Sequence, residues 1–426
     1  MNRLKNKKLR DVVATSVENY CSASHDFSFN KQEPVVRLHE PTFGTDEIMA
    51  ALDCLLDTHV TMGPKVKQFE KSFATYNSQD HGIMCNSGSS ANLLAVAALA
   101  NPRNADSLKA GDEVIVSALS WSTTVWPLIQ YNLVPVIVDI DPNTMNIDPN
   151  EVEKAIGPKT RAIMPVHVYG NPCDMNALMD ICERNNLILI EDCCEALGTV
   201  YDGKNIGSFG HIGTFSFYYS HHMTTMEGGL CTTDNLDLAE TMRILRAHGW
   251  VREVEQPEVF YQQFPDIDPR FLFVDVGYNL RATELQGAMG SVQLPKLDGM
   301  VKARQEAANK LIASLGSLGS YFAFQKTTDK GEHSWFGLPF VVTKSASFTV
   351  SELRDALKKA NIESRPIICG NIALQPAMKL YNHRVVGMLS NATAVMERGV
   401  AIPCHHKVDD DAITYMTDIF RDFIAA

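Results

Sequence analysis

An α/β fold, with a mostly parallel sheet followed by a smaller α+β lobe, is predicted by three features of this 426-residue chain. Between residues 82 and 190, short β-branched runs alternate with stretches of helical periodicity, and strands separated by helices imply a parallel sheet covered on both faces. Beyond residue 290 the order changes to a long helix, a strand and two further helices, the pattern of an α+β lobe. A hydrophobic content of 45% supplies enough apolar surface for two or three packed lobes.

The polar residues 1–40 read as an N-terminal arm, with amphipathic spacing at 9–20. Apolar residues recur at helical intervals over 45–56 and 66–76, and Gly63-Pro64 breaks the chain between them. Strands follow at 82–85, 113–117, 134–138, 162–166 and 187–190, interleaved with helices at 90–99, 151–156 and 175–184. In the stretch 213–229, GTFSFYYSHHMTTMEGG, the alternation of Phe215, Phe217 and Tyr219 predicts a strand, and Glu227-Gly228-Gly229 a turn. His221 and His222 then lie just past a strand end, where α/β folds bind ligands. The large domain is expected over 41–290. A continuous helix at 282–315 leads into the 291–426 lobe, with a strand at 334–342 and helices at 351–360 and 410–423.

A formal charge of −12 and the lack of a long Lys/Arg block argue against nucleic-acid binding, which needs a basic surface to neutralise phosphates. The basic N-terminus has no apolar segment after it, and no window reaches the roughly 18 apolar residues of a membrane span, so a cytoplasmic location is expected. Ten scattered cysteines without a CxxC pair fit reduced thiols rather than a disulfide or zinc framework, and no metal site is expected.

Four stretches carry chemistry. Asn86-Ser87-Gly88-Ser89-Ser90-Ala91-Asn92 follows a strand and opens a helix, where backbone N–H groups and hydroxyls converge; this suits a phosphate-sized anion, and equally a plain N-cap. Trp121 follows a strand end and either stacks on a flat ring or joins the core. Asp192 ends the run LILIE, and a carboxylate at the end of a buried strand needs a cationic or hydrogen-bonding partner, from a ligand or from the turn after it. Residues 277–284, GYNLRATE, open the long helix. His405 and His406 read as surface residues.

In order, NSGSSAN, EDCCEALG, SFYYSHH with EGG, and GYNLRATELQ resemble the DegT/StrS sugar aminotransferase family, pyridoxal-phosphate enzymes with the aspartate aminotransferase fold (fold type I). The resemblance covers roughly residues 35–425. It implies that Gly88, Ser89 and Ser216 hold the cofactor phosphate, with Asn279 reaching it from the second subunit of a homodimer. It further implies that Trp121 stacks on the pyridine ring, that Asp192 pairs with its nitrogen and that Glu195 lies near its hydroxyl. The fifth residue after the strand serine, a Schiff-base lysine in family aminotransferases, is His221 here. Imidazole cannot form lysine's stable Schiff base. This substitution resembles a branch of nucleotide-sugar 3-dehydratases, which implies non-covalent pyridoxamine phosphate (PMP), His221 as catalytic base and glutamate as amino donor. An imidazole with an unperturbed pKa of about 6.5 would accept and return a proton near neutral pH.

The branch has two styles, one on CDP-linked sugars with an iron-sulfur cluster and a reductase partner, the other on GDP-linked sugars without either. No cysteine occurs between Cys231 and Cys369, so no cluster is expected and a GDP-linked substrate is favoured. A non-catalytic regulator that kept the fold is the reading from another class. His222, Tyr169, Arg365 and Asn371 are further candidates to touch the sugar or its diphosphate, since Arg suits bidentate phosphate contacts. Met226 stands where relatives usually have glycine.

Overall fold

The computed structural model describes residues 2–104 and 106–425, with side chains from residue 7 onward. Its centre is an eight-stranded sheet whose spatial order is His81–Cys85, Gly229–Thr233, Ile212–Ser216, Ile188–Asp192, Thr160–Met164, Glu113–Ser117, Val134–Val138 and Arg384–Val385. Only Gly229–Thr233 runs against the rest, pairing antiparallel with the strands on either side. The remaining strands are parallel where they meet. Helices Gly88–Leu99, Met175–Asn185 and Leu236–Arg246 are among those that cover the sheet. Both faces are therefore dry, which is why the strands read as unbroken apolar runs instead of alternating with polar residues.

Two apolar cores flank this sheet. On one face Phe69, Phe73, Phe215 and Phe217 pack edge to face or tilted, with ring centroids 4.9–5.9 Å apart. Phe215 and Phe217 point into that core, so Thr214 and Ser216 point the other way, a consequence of the two-residue side-chain period of a strand. A third core belongs to a three-stranded antiparallel sheet, Phe322–Phe324, Leu338–Val342 and Gly399–Ile402, backed by helices Val350–Lys359 and Asp410–Ala425.

The expected helix at 282–315 is two helices, Glu284–Gln293 and Leu297–Leu315, separated by a 3₁₀ turn at Leu294–Lys296. Pro295 lies in that turn, where it removes a helical N–H. The expected strand at 334–342 starts only at Leu338. Trp335 has φ of +51°, and the buried Arg304 guanidinium takes the carbonyls of Trp335 and Phe336, so neither residue joins a ladder. The strand expected through Tyr219 ends at Ser216.

The lobes share chain. Arg384–Val385 extends the large sheet although it lies in the C-terminal part. Leu297 and Val301 of the second long helix pack on the large domain, while Ala308 and Leu311 pack in the small one. Within residues 1–40, the helix Asn2–Ser24 outruns the amphipathic spacing at 9–20, and Val36 pairs with Ile362 and enters the small lobe's core.

Phe217 is fully buried at the point where the strand turns toward His221. Truncation Phe217→Ala is expected to lower unfolding free energy by about 3–5 kcal/mol, as measured by urea denaturation; a loss under about 1 kcal/mol would show that this core does not brace the strand end.

Candidate active site

Parallel strands deliver their functional groups at their carboxyl ends, and four strand ends here open into one cleft of about 360 Å³. Ser87-Gly88-Ser89 follows His81–Cys85, Trp121 follows Glu113–Ser117, Asp192 ends its own strand, and Ser216 ends the next.

Gly88 is the first residue of a 12-residue helix, Gly88–Leu99, whose N-cap Ser87 accepts from the Ser90 N–H through Oγ at 3.1 Å. The first N–H groups of a helix have no intrahelical partners and face a positive dipole end. A Cβ on Gly88 would lie 2.5 Å from Ser216 Cβ, and one on Gly229 would lie 2.1 Å from the Ser87 carbonyl oxygen. Backbone and hydroxyls thus close on each other as only glycine allows, which is the shape of a phosphate cradle.

Asp192 is 3% exposed, and its carboxylate accepts three hydrogen bonds, two at Oδ2 and one at Oδ1. Oδ2 accepts from Asn92 Nδ2 and Thr124 Oγ1, both at 2.8 Å, and Oδ1 accepts from the Cys194 N–H at 3.2 Å. Asn92 is held in turn by Thr214, whose Oγ1 donates to Asn92 Oδ1 at 2.6 Å. The flanking Glu191 points to the other face, where it accepts from the N–H groups of Gly207, Phe209 and Gly210. Trp121 remains 56% exposed at the mouth of the cleft, so its ring is presented to a ligand and is not spent in the core.

His221 also lines the cleft, with its ring 5.1 Å from Phe336. Its Nδ1 is buried without a hydrogen-bond partner. Burial, and then the positive charges of Arg365 and Arg304, push its pKa down to about 3, so the ring is neutral through the physiological range. The expected titration near pH 6.5 is thereby corrected: the protein holds this imidazole as a free base. Glu195 behaves in the opposite sense. Burial raises it to about 7 although Arg365 opposes the shift, and its Oε2 accepts from the Tyr169 N–H at 3.0 Å. No lysine lines the cleft among the described residues.

The other candidates divide. Arg365 lines the cleft, donating through Nε to Tyr169 Oη at 2.9 Å and lying over the Phe336 ring. Tyr169 has no exposed surface and reaches a ligand only through Arg365. His222 is also fully buried, with Nε2 at 3.0 Å from the Ser334 carbonyl, and Asn371 caps a turn while donating to Thr393, so both sit behind the cleft and not in it. Asn279 is exposed and lies outside the cleft of its own chain. His405, expected on the surface, is 2% exposed because its ring bonds the Arg37 carbonyl and the Lys407 N–H. Met226 has φ of +71°, the left-handed region that favours glycine, which accounts for the residue usual there.

Sequence reasoning missed Thr124, Thr214 and Phe336. Thr214 carried a signal, since it shares a strand face with Ser216. Phe336 comes from the small lobe and carried none.

This cradle and this carboxylate fit a phosphorylated pyridine cofactor, and the architecture is that of the pyridoxal-phosphate aminotransferase-fold proteins. A GDP-4-keto-6-deoxymannose-3-dehydratase solved as a mutant with bound GDP-perosamine has a TM-score of 0.85 at 36% identity, over 90% of this chain and 99% of that one. The same kind of enzyme with a trapped PLP-glutamate geminal diamine gives 0.83, again at 36% identity, over 90% and 99%. Residues 41–421 match the DegT/DnrJ/EryC1/StrS aminotransferase family, and the chain belongs to that family. A GDP-4-keto-6-deoxy-D-mannose 3-dehydratase of Yersinia pseudotuberculosis is 40% identical over 364 residues, 84% of this chain and 91% of the relative. No helix among the described residues is long and apolar enough to cross a membrane.

Burial holds seven imidazoles below their ordinary 6.5 among the described residues: His211, His222 and His333, together with His39 and His406 at about 4 and His221 and His405 at about 3. The unfolded chain takes up these protons first, so stability is complete above pH 6.5 and is lost as pH falls toward 4 and 3. Glu195, raised to about 7, acts in the opposite direction. Each depressed group contributes up to about 1.4 kcal/mol per pH unit in that window. Urea midpoints of the cofactor-free protein are expected to fall steadily from pH 7 to pH 5; a flat profile would contradict the burial of these rings.

Proposed function

We propose that this protein is a PMP-dependent 3-dehydratase acting on an NDP-4-keto-6-deoxy sugar, GDP-linked by preference. One observation carries the reading: a neutral histidine, His221, faces the cleft at the strand end, and no lysine lines that cleft among the described residues. Its similarity to GDP-4-keto-6-deoxymannose 3-dehydratases, one of them solved with a trapped PLP-glutamate geminal diamine, supports it.

Bound pyridoxamine phosphate supplies an amine for the sugar's 4-keto carbon and a ring that takes up electrons. Gly88, Ser89 and Ser216 hold its phosphate at the helix N-terminus, and Trp121 covers its ring. The Asp192 carboxylate faces the ring nitrogen and keeps it protonated, while Glu195 lies toward the ring hydroxyl. His221, neutral and deprived of water, accepts the proton from the cofactor's C4′ carbon and returns it to the departing 3-hydroxyl; a positioned base of this kind contributes on the order of 10² to 10⁴ in rate. Arg365 is the cleft's cation for an anionic group of the substrate.

Glutamate restores the amine. Across a full cycle the sugar's C3–OH becomes C3–H, glutamate becomes 2-oxoglutarate and one ammonium is released, so glutamate is the two-electron reductant and no iron-sulfur cluster or reductase is needed. Asn279, exposed and outside its own cleft, is assigned to the cleft of a second copy in a homodimer. The setting is the cytoplasm, where nucleotide sugars are made.

Two treatments test His221 together. Borohydride reduction of the pyridoxal-phosphate form is expected to leave no cofactor on the chain by mass spectrometry, because no lysine among the described residues lines the cleft. His221→Asn is expected to bind cofactor normally and to lose at least about 10²-fold in dehydration rate. A lysine adduct, or wild-type turnover by the variant, would place the base elsewhere.

A further inference from the structure

Tyr169 stands in the loop after strand Thr160–Met164, in a backbone conformation that its residue type seldom takes: φ is +57° and ψ is 21°. A bulky residue stays in the left-handed region only where its surroundings fix it, and such positions gather at functional sites. Here the fixing contacts are with residues of the cleft. The Tyr169 N–H donates to Glu195 Oε2 at 3.0 Å, and its carbonyl accepts from the Phe336 N–H at 2.8 Å. Its phenol oxygen accepts from Arg365 Nε at 2.9 Å, and the guanidinium carbon lies over the Tyr169 ring at 5.3 Å.

Glu195, Phe336 and Arg365 all line the cleft, yet they come from separate parts of the chain: the turn after Ile188–Asp192, the loop before Leu338–Val342, and the stretch beside strand Gly399–Ile402. Tyr169 is hydrogen-bonded to each of them. The next residue ties the same loop to the small lobe, since the Gly170 carbonyl accepts from the Ser334 N–H at 3.0 Å. Among the described residues the bond to Tyr169 is the only hydrogen bond of the Arg365 guanidinium, so both Nη groups are without protein partners. Arg365 and Glu195 are each bonded to Tyr169, and no ion pair joins them. A guanidinium and a carboxylate in one dry cleft gain by pairing, so a contact must keep these two apart.

We propose that Tyr169 is a positioning residue: its phenol holds the Arg365 guanidinium away from Glu195, so that the two Nη groups stay available to an anionic group of the nucleotide sugar. The inference rests on Arg365 as that substrate's cation. Two Nη donors in one plane match two oxygens of a phosphate or carboxylate. Closed onto Glu195, the same guanidinium would be spent on the protein and the carboxyl would ionise. The carboxyl is in the contrary state, since burial raises it to about 7 and Arg365 offsets only part of that rise. The other titratable groups lining the cleft are Asp192, Cys194, Tyr218, His221 and Glu227, of which Asp192 adds to the rise.

Tyr169→Phe keeps the ring and removes only the phenol oxygen. In the full-length, cofactor-free protein with ¹³C-carboxyl glutamate, the Glu195 titration is followed by NMR, and the variant is expected to lower its midpoint by about one pH unit or more as Arg365 closes on it. Arg365→Gln is expected to raise the midpoint. Tyr169→Phe added to Arg365→Gln is expected to move it no further, the coupling that an effect through Arg365 requires. In the loaded enzyme, Tyr169→Phe is expected to raise KM for the GDP-4-keto-6-deoxy sugar on the order of tenfold with kcat unchanged. An unchanged Glu195 midpoint, or an equal fall with and without Arg365, overturns the positioning role whatever reaction the enzyme catalyses. A lowered midpoint with KM unchanged overturns the assignment of the guanidinium to the substrate. A lowered midpoint in a protein that never dehydrates the sugar removes the proposed reaction and leaves the hold of Tyr169 on Arg365.

Discussion

Everything in the cleft depends on one carboxylate kept out of water. Asp192 is 3% exposed at the end of a central strand, a position that would cost several kcal/mol for an uncompensated charge. Asn92, Thr124 and the Cys194 N–H compensate it, and each comes from an element the sheet must place correctly. Asn92 lies one helical turn beyond Gly88, so the helix that forms the anion cradle also braces the aspartate. The helix N-terminus at Gly88 and the Asp192 carboxylate are therefore held at a fixed spacing by one helix.

The buried surroundings of Arg304 follow the reverse principle. Arg304 is buried with no carboxylate beside it, bonding only the carbonyls of Trp335, Phe336 and Cys404. Its charge, added to burial, keeps His39, His221, His405 and His406 neutral. A lysine in place of His221 would face the same field, whereas an imidazole tolerates it as an uncharged base. Glu195 and Arg365 line the same cleft, and burial raises the Glu195 carboxyl to about 7 although the Arg365 charge opposes the shift.

Much of this was legible in the chain. Strand ends followed by Gly-Ser or Asp residues are local patterns that marked the 86–92 stretch, Trp121, Asp192 and the histidine pair, whereas the roles of Ser216 and His221 were implied by the family resemblance of the ordered motifs. The break at Pro295 was equally local and was overlooked inside a strong helical period. What escaped was non-local. The burial of His222 and His405, and the depressed pKa of His221, depend on Arg304 and on an arm some 180 residues away from His221, which no periodicity reports. Trp335 likewise leaves its strand because a distant guanidinium claims its carbonyl.

The central claim is that a histidine at this strand end turns an aminotransferase site into a dehydratase. It is tested most directly by incubating the protein with pyridoxal phosphate, glutamate and a GDP-4-keto-6-deoxy sugar, and reading the nucleotide sugar by mass spectrometry alongside ammonia. The account predicts a product lacking one oxygen, with 2-oxoglutarate and ammonia formed in equal amounts and no reductase added. A 4-amino sugar without ammonia, or turnover only when an external reductase is supplied, would contradict it.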